Sequence, residues 1–127
     1  MGKLKGLISN HNETSDNHKD ELLRSHYYKT SQSKAIEAIR EIVGQMDGYQ
    51  IGTIQEDRGE ISVKGKKAFM VITVITVRPF EISIDFSVTS ESVLPMDFGY
   101  SRKVILNMYE KLDKVLPFIG TAGNKKR

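Results

Sequence analysis

At 127 residues the chain has the size of one domain with a core of its own. A hydrophobic content of 39% and a charged content of 28% are ordinary for a globular protein, and no run of about 18 apolar residues marks a membrane span. The formal charge of +3 equals the last three residues, Lys125-Lys126-Arg127, which argues against specific nucleic-acid binding because that needs a clustered basic face.

Residues 1–21 are polar and weakly patterned, so they read as a flexible arm that lacks the apolar groups needed to offset the entropy of ordering. The opening resembles the start of a signal peptide, but its apolar stretch stops after Ile8. With no cysteine in the chain, a reducing cytoplasm is the expected location. Residues 22–120 read as a single α+β domain, and 121–127 as a basic disordered tail. Within the domain, residues 22–29 favour a short strand through Tyr27 and Tyr28. Thr30-Ser31-Gln32-Ser33 offers helix N-caps, and Ala35, Ile36, Ile39, Ile42, Val43 and Met46 recur at helical spacing, predicting a helix over 33–46. Asp47-Gly48 turns the chain into a strand over 49–55.

Residues 59–90 read as three consecutive antiparallel strands. The first carries Ile61 and Val63 on one face. The middle strand, 69–77, is nearly all β-formers and apolar on both sides: Phe69, Val71, Thr73, Ile75 and Val77 alternate with Met70, Ile72, Val74 and Thr76. The third alternates cleanly, with Ile82, Ile84, Phe86 and Val88 against Glu81, Ser83, Asp85 and Ser87. A second helix is predicted over 98–116, capped by Asp97, with Val104, Ile105, Met108, Leu112 and Val115 on its apolar face and Pro117 at its end. The order β-α-β-β-β-β-α implies a two-layer sandwich, an antiparallel sheet of four or five strands with both helices on one face. The helices are assigned to the Phe69–Val71–Ile75 row, the longer and bulkier one. Met70, Ile72 and Val74 are then left as a candidate interface.

Residue chemistry gives no catalytic platform. His11, His18 and His26 lie seven and eight residues apart, which matches no zinc pattern, so no metal is expected. The hydroxyls of Ser87, Thr89, Ser90 and Ser92 have no histidine near them in sequence and no nucleophile elbow, although His26 could approach across the fold. Glu81 and Asp85 share the polar face of their strand and are expected to meet water. No phosphate-binding glycine loop is present, and no cofactor is expected.

The stretch 84–112, with its serine-rich strand end, Asp97-Phe98-Gly99 turn and a long helix bearing Arg102 and Asn107, resembles the C-terminal signature of an uncharacterised bacterial family of about this length. The chain is also similar in style to small cytosolic proteins of Bacillus-type bacteria. It has Met70-Val71 where that family has an acidic pair, and lacks the arginines that flank the family's serines. The resemblance implies no known activity. The leading expectation is a non-enzymatic protein acting by protein–protein contact, most simply a homodimer. The alternative is a small-ligand binder with an apolar pocket between helices and sheet, lined by Met46, Phe69, Phe86, Met108 and Tyr109. An enzyme of unknown type stands third.

Overall fold

The β-branched runs form strands where the sequence puts them, and the strands outnumber expectation. The computed structural model describes residues 11–91 and 99–123. In chain order these form β1 (His11–Glu13), a 3-10 turn (Glu21–Leu23), β2 (His26–Tyr28), α1 (Gln32–Gly44), β3 (Tyr49–Gln55), β4 (Glu60–Gly65), β5 (Ala68–Arg78), β6 (Glu81–Ser90), α2 (Tyr100–Val115) and β7 (Phe118–Thr121). The fold is α+β, with two helices and seven antiparallel strands among the described residues. The sheet order is β3-β4-β5-β6-β2-β7, and β1 pairs with β6 beside β2. The added strands are β1 and β7, which fall in stretches read as an arm and a helix terminus.

Each helix starts and stops for a local reason. Ser31 is the N-cap of α1 and its hydroxyl accepts from the Lys34 amide. Gly99, at a φ of 86°, opens α2 without a side-chain cap; the expected cap, Asp97, lies outside the described residues. Pro117 follows the last turn of α2, and the chain then returns as β7 along β2. No helix among the described residues is long and apolar enough to cross a membrane.

The two faces of β5 are the reverse of the expected assignment. Ile61 and Val63 on β4 pair with Ile72 and Met70, and Val74, Ile72 and Met70 pair with Ile84, Phe86 and Val88 on β6. This row packs into one core with Ile36, Ile39 and Val43 of α1 and Ile105, Met108 and Leu112 of α2. Met70, Ile72 and Val74 are 0–1% exposed, so they are core and form no interface. Phe69, Ile75 and Val77 are the exposed large apolar residues of β5, at 46, 48 and 42%. Bulk did not decide between the two apolar rows, and a bulge near the β5–β6 turn accompanies the observed register. Arg78 pairs with Glu81, but Thr76 pairs with Ile82, so the register moves by one residue at Val77. A one-residue move exchanges the faces of the whole strand.

The segment read as a flexible arm is part of the fold from His11 onward. Its ties are polar, which composition cannot reveal. Asn12 donates to Ser101 Oγ at 2.8 Å, Thr14 donates to Asp85, and Arg102 Nε lies 2.8 Å from Asp20 Oδ2. Asn12, Thr14 and Asp20 are all buried. At the other end, Gly120 and Ala122 are buried, so the fold extends through β7 into the stretch assigned to the tail.

Candidate functional site

Two regions concentrate chemistry: a polar seam along β6, and the exposed side and tip of β5. The seam exists because β1 and β2 both pair with β6 but do not meet. β1 covers Ser87 to Thr89, β2 covers Ile82 to Ile84, and residues 14–25 loop out between them. Thr14 and Ser25 fill the break. Thr14 accepts from the Phe86 amide at 3.0 Å and donates to Asp85 Oδ1 at 2.6 Å, and Ser25 donates to the same oxygen. The Tyr109 hydroxyl donates to the Ile84 carbonyl at 2.7 Å and lies 3.2 Å from Thr14 Oγ1. Burial pushes the Asp85 carboxyl above its ordinary value, and the two hydroxyls only partly offset that. Burial also pushes the Tyr109 hydroxyl up.

Next to the seam, His26 lies flat on Tyr109, with ring centroids 3.6 Å apart and 4° between planes. Its Nδ1 is 3.0 Å from Asp113 Oδ1, which also accepts from the Tyr28 hydroxyl at 2.6 Å. A carboxylate orienting an imidazole is the arrangement of a general base. Here the imidazole is stacked on Tyr109, faces Phe118 at 5.1 Å and lines none of the hollows described below. The arrangement clamps β2 onto α2. Tyr27, on the other side of β2, donates to Asp16 at 2.7 Å, and burial followed by that bond pushes its hydroxyl up to about 12.

The other expected sites are dispersed. His11 Nδ1 meets Thr89 Oγ1 at 2.6 Å, His18 Nδ1 accepts from the Asp20 amide, and His26 meets Asp113, so the three histidines go to three places. Among the described residues no three His, Cys, Asp or Glu side chains are grouped to hold a metal. It is His11, and not His26, that reaches the strand-end hydroxyls; Ser92 lies outside the described residues. Glu81 is buried beside Arg78, and Asp85 is half-buried in the seam, so neither simply faces water. The expected ligand pocket is not assembled. Phe69 is on the outer face, while Phe86, Met108 and Tyr109 are core, with Phe86 and Tyr109 in edge contact at 4.9 Å.

Of the expected lining residues, Met46 borders a groove of about 510 Å³ between the end of α1, β3 and α2. Tyr49, Tyr100, Val104, Leu106 and Asn107 also line it, and the hydroxyls of Tyr49 and Tyr100 are 2.7 Å apart. A hollow of about 430 Å³ lies among Asp16, Arg24 and Tyr27, and another of about 300 Å³ among Lys29, Lys34, Phe80 and Val115.

The second region is built by the length of β5. Its outer row carries the apolar residues, flanked by Lys64, Ser62 and Glu60 on β4 and by Thr89, Ser87 and Asp85 on β6. β5 then runs past β4, whose last paired residue, Glu60, stands opposite Thr73. At the tip, Pro79-Phe80 turns the chain. Phe80 takes a φ of 60° and is 70% exposed. A left-handed backbone costs an ordinary side chain about 1–2 kcal/mol, and this one gains little from burial in return.

No protein-family model, curated protein or solved structure matches the chain. The resemblance over residues 84–112 therefore gains no support from them, and the functional reading rests on the geometry alone.

Proposed function

We propose that the chain is a non-enzymatic protein that acts by protein–protein contact and associates with itself, using the exposed side of β5. The observation that carries this reading is the apolar row of Phe69, Ile75 and Val77, exposed on a sheet whose helices pack on its other face. Contiguous apolar surface of this kind is uncommon on a monomer and marks contact sites. A two-fold dimer needs only one self-complementary patch. The cytoplasm, where a cysteine-free chain loses nothing, is the location that goes with the reading.

Sedimentation velocity at micromolar concentration tests it. The wild type is expected to sediment as a dimer. Ile75→Glu is expected to sediment as a monomer with an unchanged circular-dichroism spectrum, since the side chain is outside the core. A monomeric wild type would overturn the reading.

A second reading, binding of a small apolar ligand, is favoured by the groove at Met46, Tyr49 and Leu106, whose apolar walls carry a few polar groups. It predicts that organic extracts of the purified protein contain a compound that is missing from a Leu106→Trp variant. An empty extract from both counts against it.

A further inference from the structure

The hollow of about 300 Å³ between the start of α1 and the end of α2 has two unlike walls. Lys29, Thr30 and Lys34 form one, and Phe80, Val115 and Pro117 the other. The Lys29 amide donates to the Pro117 carbonyl at 2.8 Å, which holds the walls together. We infer that this hollow binds a small phosphate monoester whose body is a single flat ring. Such a site uses neither the outer row of β5 nor a second copy, so it stands or falls apart from self-association.

The polar wall holds an unused donor. Thr30 is 6% exposed, and among the described residues nothing hydrogen-bonds its hydroxyl. No side-chain oxygen sealed from solvent lacks a partner among those residues. The Thr30 hydroxyl is therefore reachable from outside, and the hollow that Thr30 lines is the way to it. A polar group this deep, with no protein partner, is the kind that a bound acceptor completes.

The charge around it has one sign. Lys29 and Lys34 are exposed, and neither has a carboxylate partner among the described residues. No acid lines the hollow among those residues. The acids beside Phe80 and Val115 are taken, Glu81 by Arg78 and Asp113 by Tyr28 and His26. α1 also begins here. Ser31, its N-cap, satisfies the Lys34 amide, which leaves the earlier amides of Gln32 and Ser33 and the positive end of the helix dipole to an anion. Lysines act as point charges, a mode that suits phosphate, whereas a planar carboxylate is better met by the arginine fork.

Phe80 supplies the apolar half. Its side chain stays 70% exposed on a left-handed backbone, at a φ of 60°. Backbone strain of this kind concentrates at ligand clamps. With Val115 and Pro117 it offers a flat ring a surface to lie on. The volume is at the lower limit for ligand pockets, which suits one ring with its phosphate.

Titration of the isotope-labelled full chain with phenyl phosphate, followed by amide shifts in NMR, tests the site. Saturable shifts are expected at Thr30, Ser31, Lys34 and Phe80. Inorganic phosphate is expected to bind about tenfold more weakly, since it leaves Phe80 uncovered. Thr30→Val is expected to weaken both ligands about tenfold and to leave the thermal midpoint unchanged, because the hydroxyl holds no protein group. Lys34→Met is expected to weaken both and to reduce the salt dependence of binding. Phe80→Gly is expected to bring phenyl phosphate down to the affinity of inorganic phosphate. No saturable shift at these amides, or binding indifferent to both Thr30→Val and Lys34→Met, would overturn the site. Benzoate binding as tightly as phenyl phosphate would overturn the choice of a phosphate. Inorganic phosphate matching phenyl phosphate would overturn the ring.

Discussion

Both central strands outgrow a neighbour, and the two gaps are treated in opposite ways. Along β6 the space between β1 and β2 is closed by Thr14, Ser25, Asp85 and Tyr109, each bonded to another member of the seam or to backbone. Along β5 the space beyond Gly59 is left open among the described residues, with exposed apolar side chains beside it. A break that leads toward the core must be satisfied internally, because an unpaired buried polar group costs about 1–3 kcal/mol. A break at the rim can wait for water or for a partner. The closed gap therefore reads as structural, and the open one lies beside the apolar row that carries the proposed contact.

The comparison breaks most completely if the plug is removed. Deleting residues 1–20 takes away β1, Thr14 and Asp20 together. It is expected to cost roughly 5 kcal/mol, a large share of the 5–15 that typically hold a domain. A urea melt reads this, and an unchanged midpoint would mean that the seam closes without its plug. Thr14→Val keeps shape but strips Asp85 of one donor and the Phe86 amide of its acceptor, so a loss of about 2 kcal/mol is expected in the same melt. Arg102→Met leaves Asp20 buried without its partner and should cost about 2 kcal/mol at neutral pH, less than a fully buried pair because the guanidinium is partly exposed.

The two carboxyls of this region respond to pH with opposite signs. Burial would raise Asp20, but the Arg102 and Leu22 hydrogen bonds outweigh it and hold the carboxyl below its ordinary value. Its contribution is present at neutral pH and is lost as pH falls through the carboxylate range. Asp85 is raised, so the folded state holds its proton more tightly than the unfolded chain does, and its ionisation works against folding as pH rises. Asp85→Asn keeps an oxygen for Ser25 and Thr14 and removes that penalty. Its thermal midpoint is expected to exceed the wild type's at pH 7, with the difference shrinking toward pH 4. The smallest effect belongs to the open side. Phe80→Asn relieves a left-handed backbone at the tip of β5 and should stabilise by about 1 kcal/mol.

Much of this architecture is legible in the sequence. The helix stripes, the alternation of Ile82, Ile84, Phe86 and Val88, and strand limits such as Tyr49–Gln55 follow from periodicity. The faces of β5 do not, because both of its rows are apolar. Carried back from a regular turn at Pro79-Phe80, the pairing of Arg78 with Glu81 would set Ile75 against Ile84; the bulge sets Val74 there instead. The other turn held the better signal. Lys66-Lys67 is a two-residue connection with no bulge beyond it, and it sets Val63 against Met70 and Ile61 against Ile72. The N-terminal strand was hidden for a different reason. Its anchors, Asn12, Thr14 and Asp20, are polar residues buried by their partners, and hydrophobic patterning carries no trace of partners far away in the chain.

Amide hydrogen exchange at two positions tests the contrast between the closed and open gaps most directly. The Phe86 amide, held by Thr14, is expected to be protected at every protein concentration. The Thr76 amide is expected to exchange fast in dilute solution and to slow as concentration rises, because under the proposed self-association a second copy then covers the exposed side of β5. Fast exchange at Thr76 at all concentrations, or an unprotected Phe86, would contradict the account.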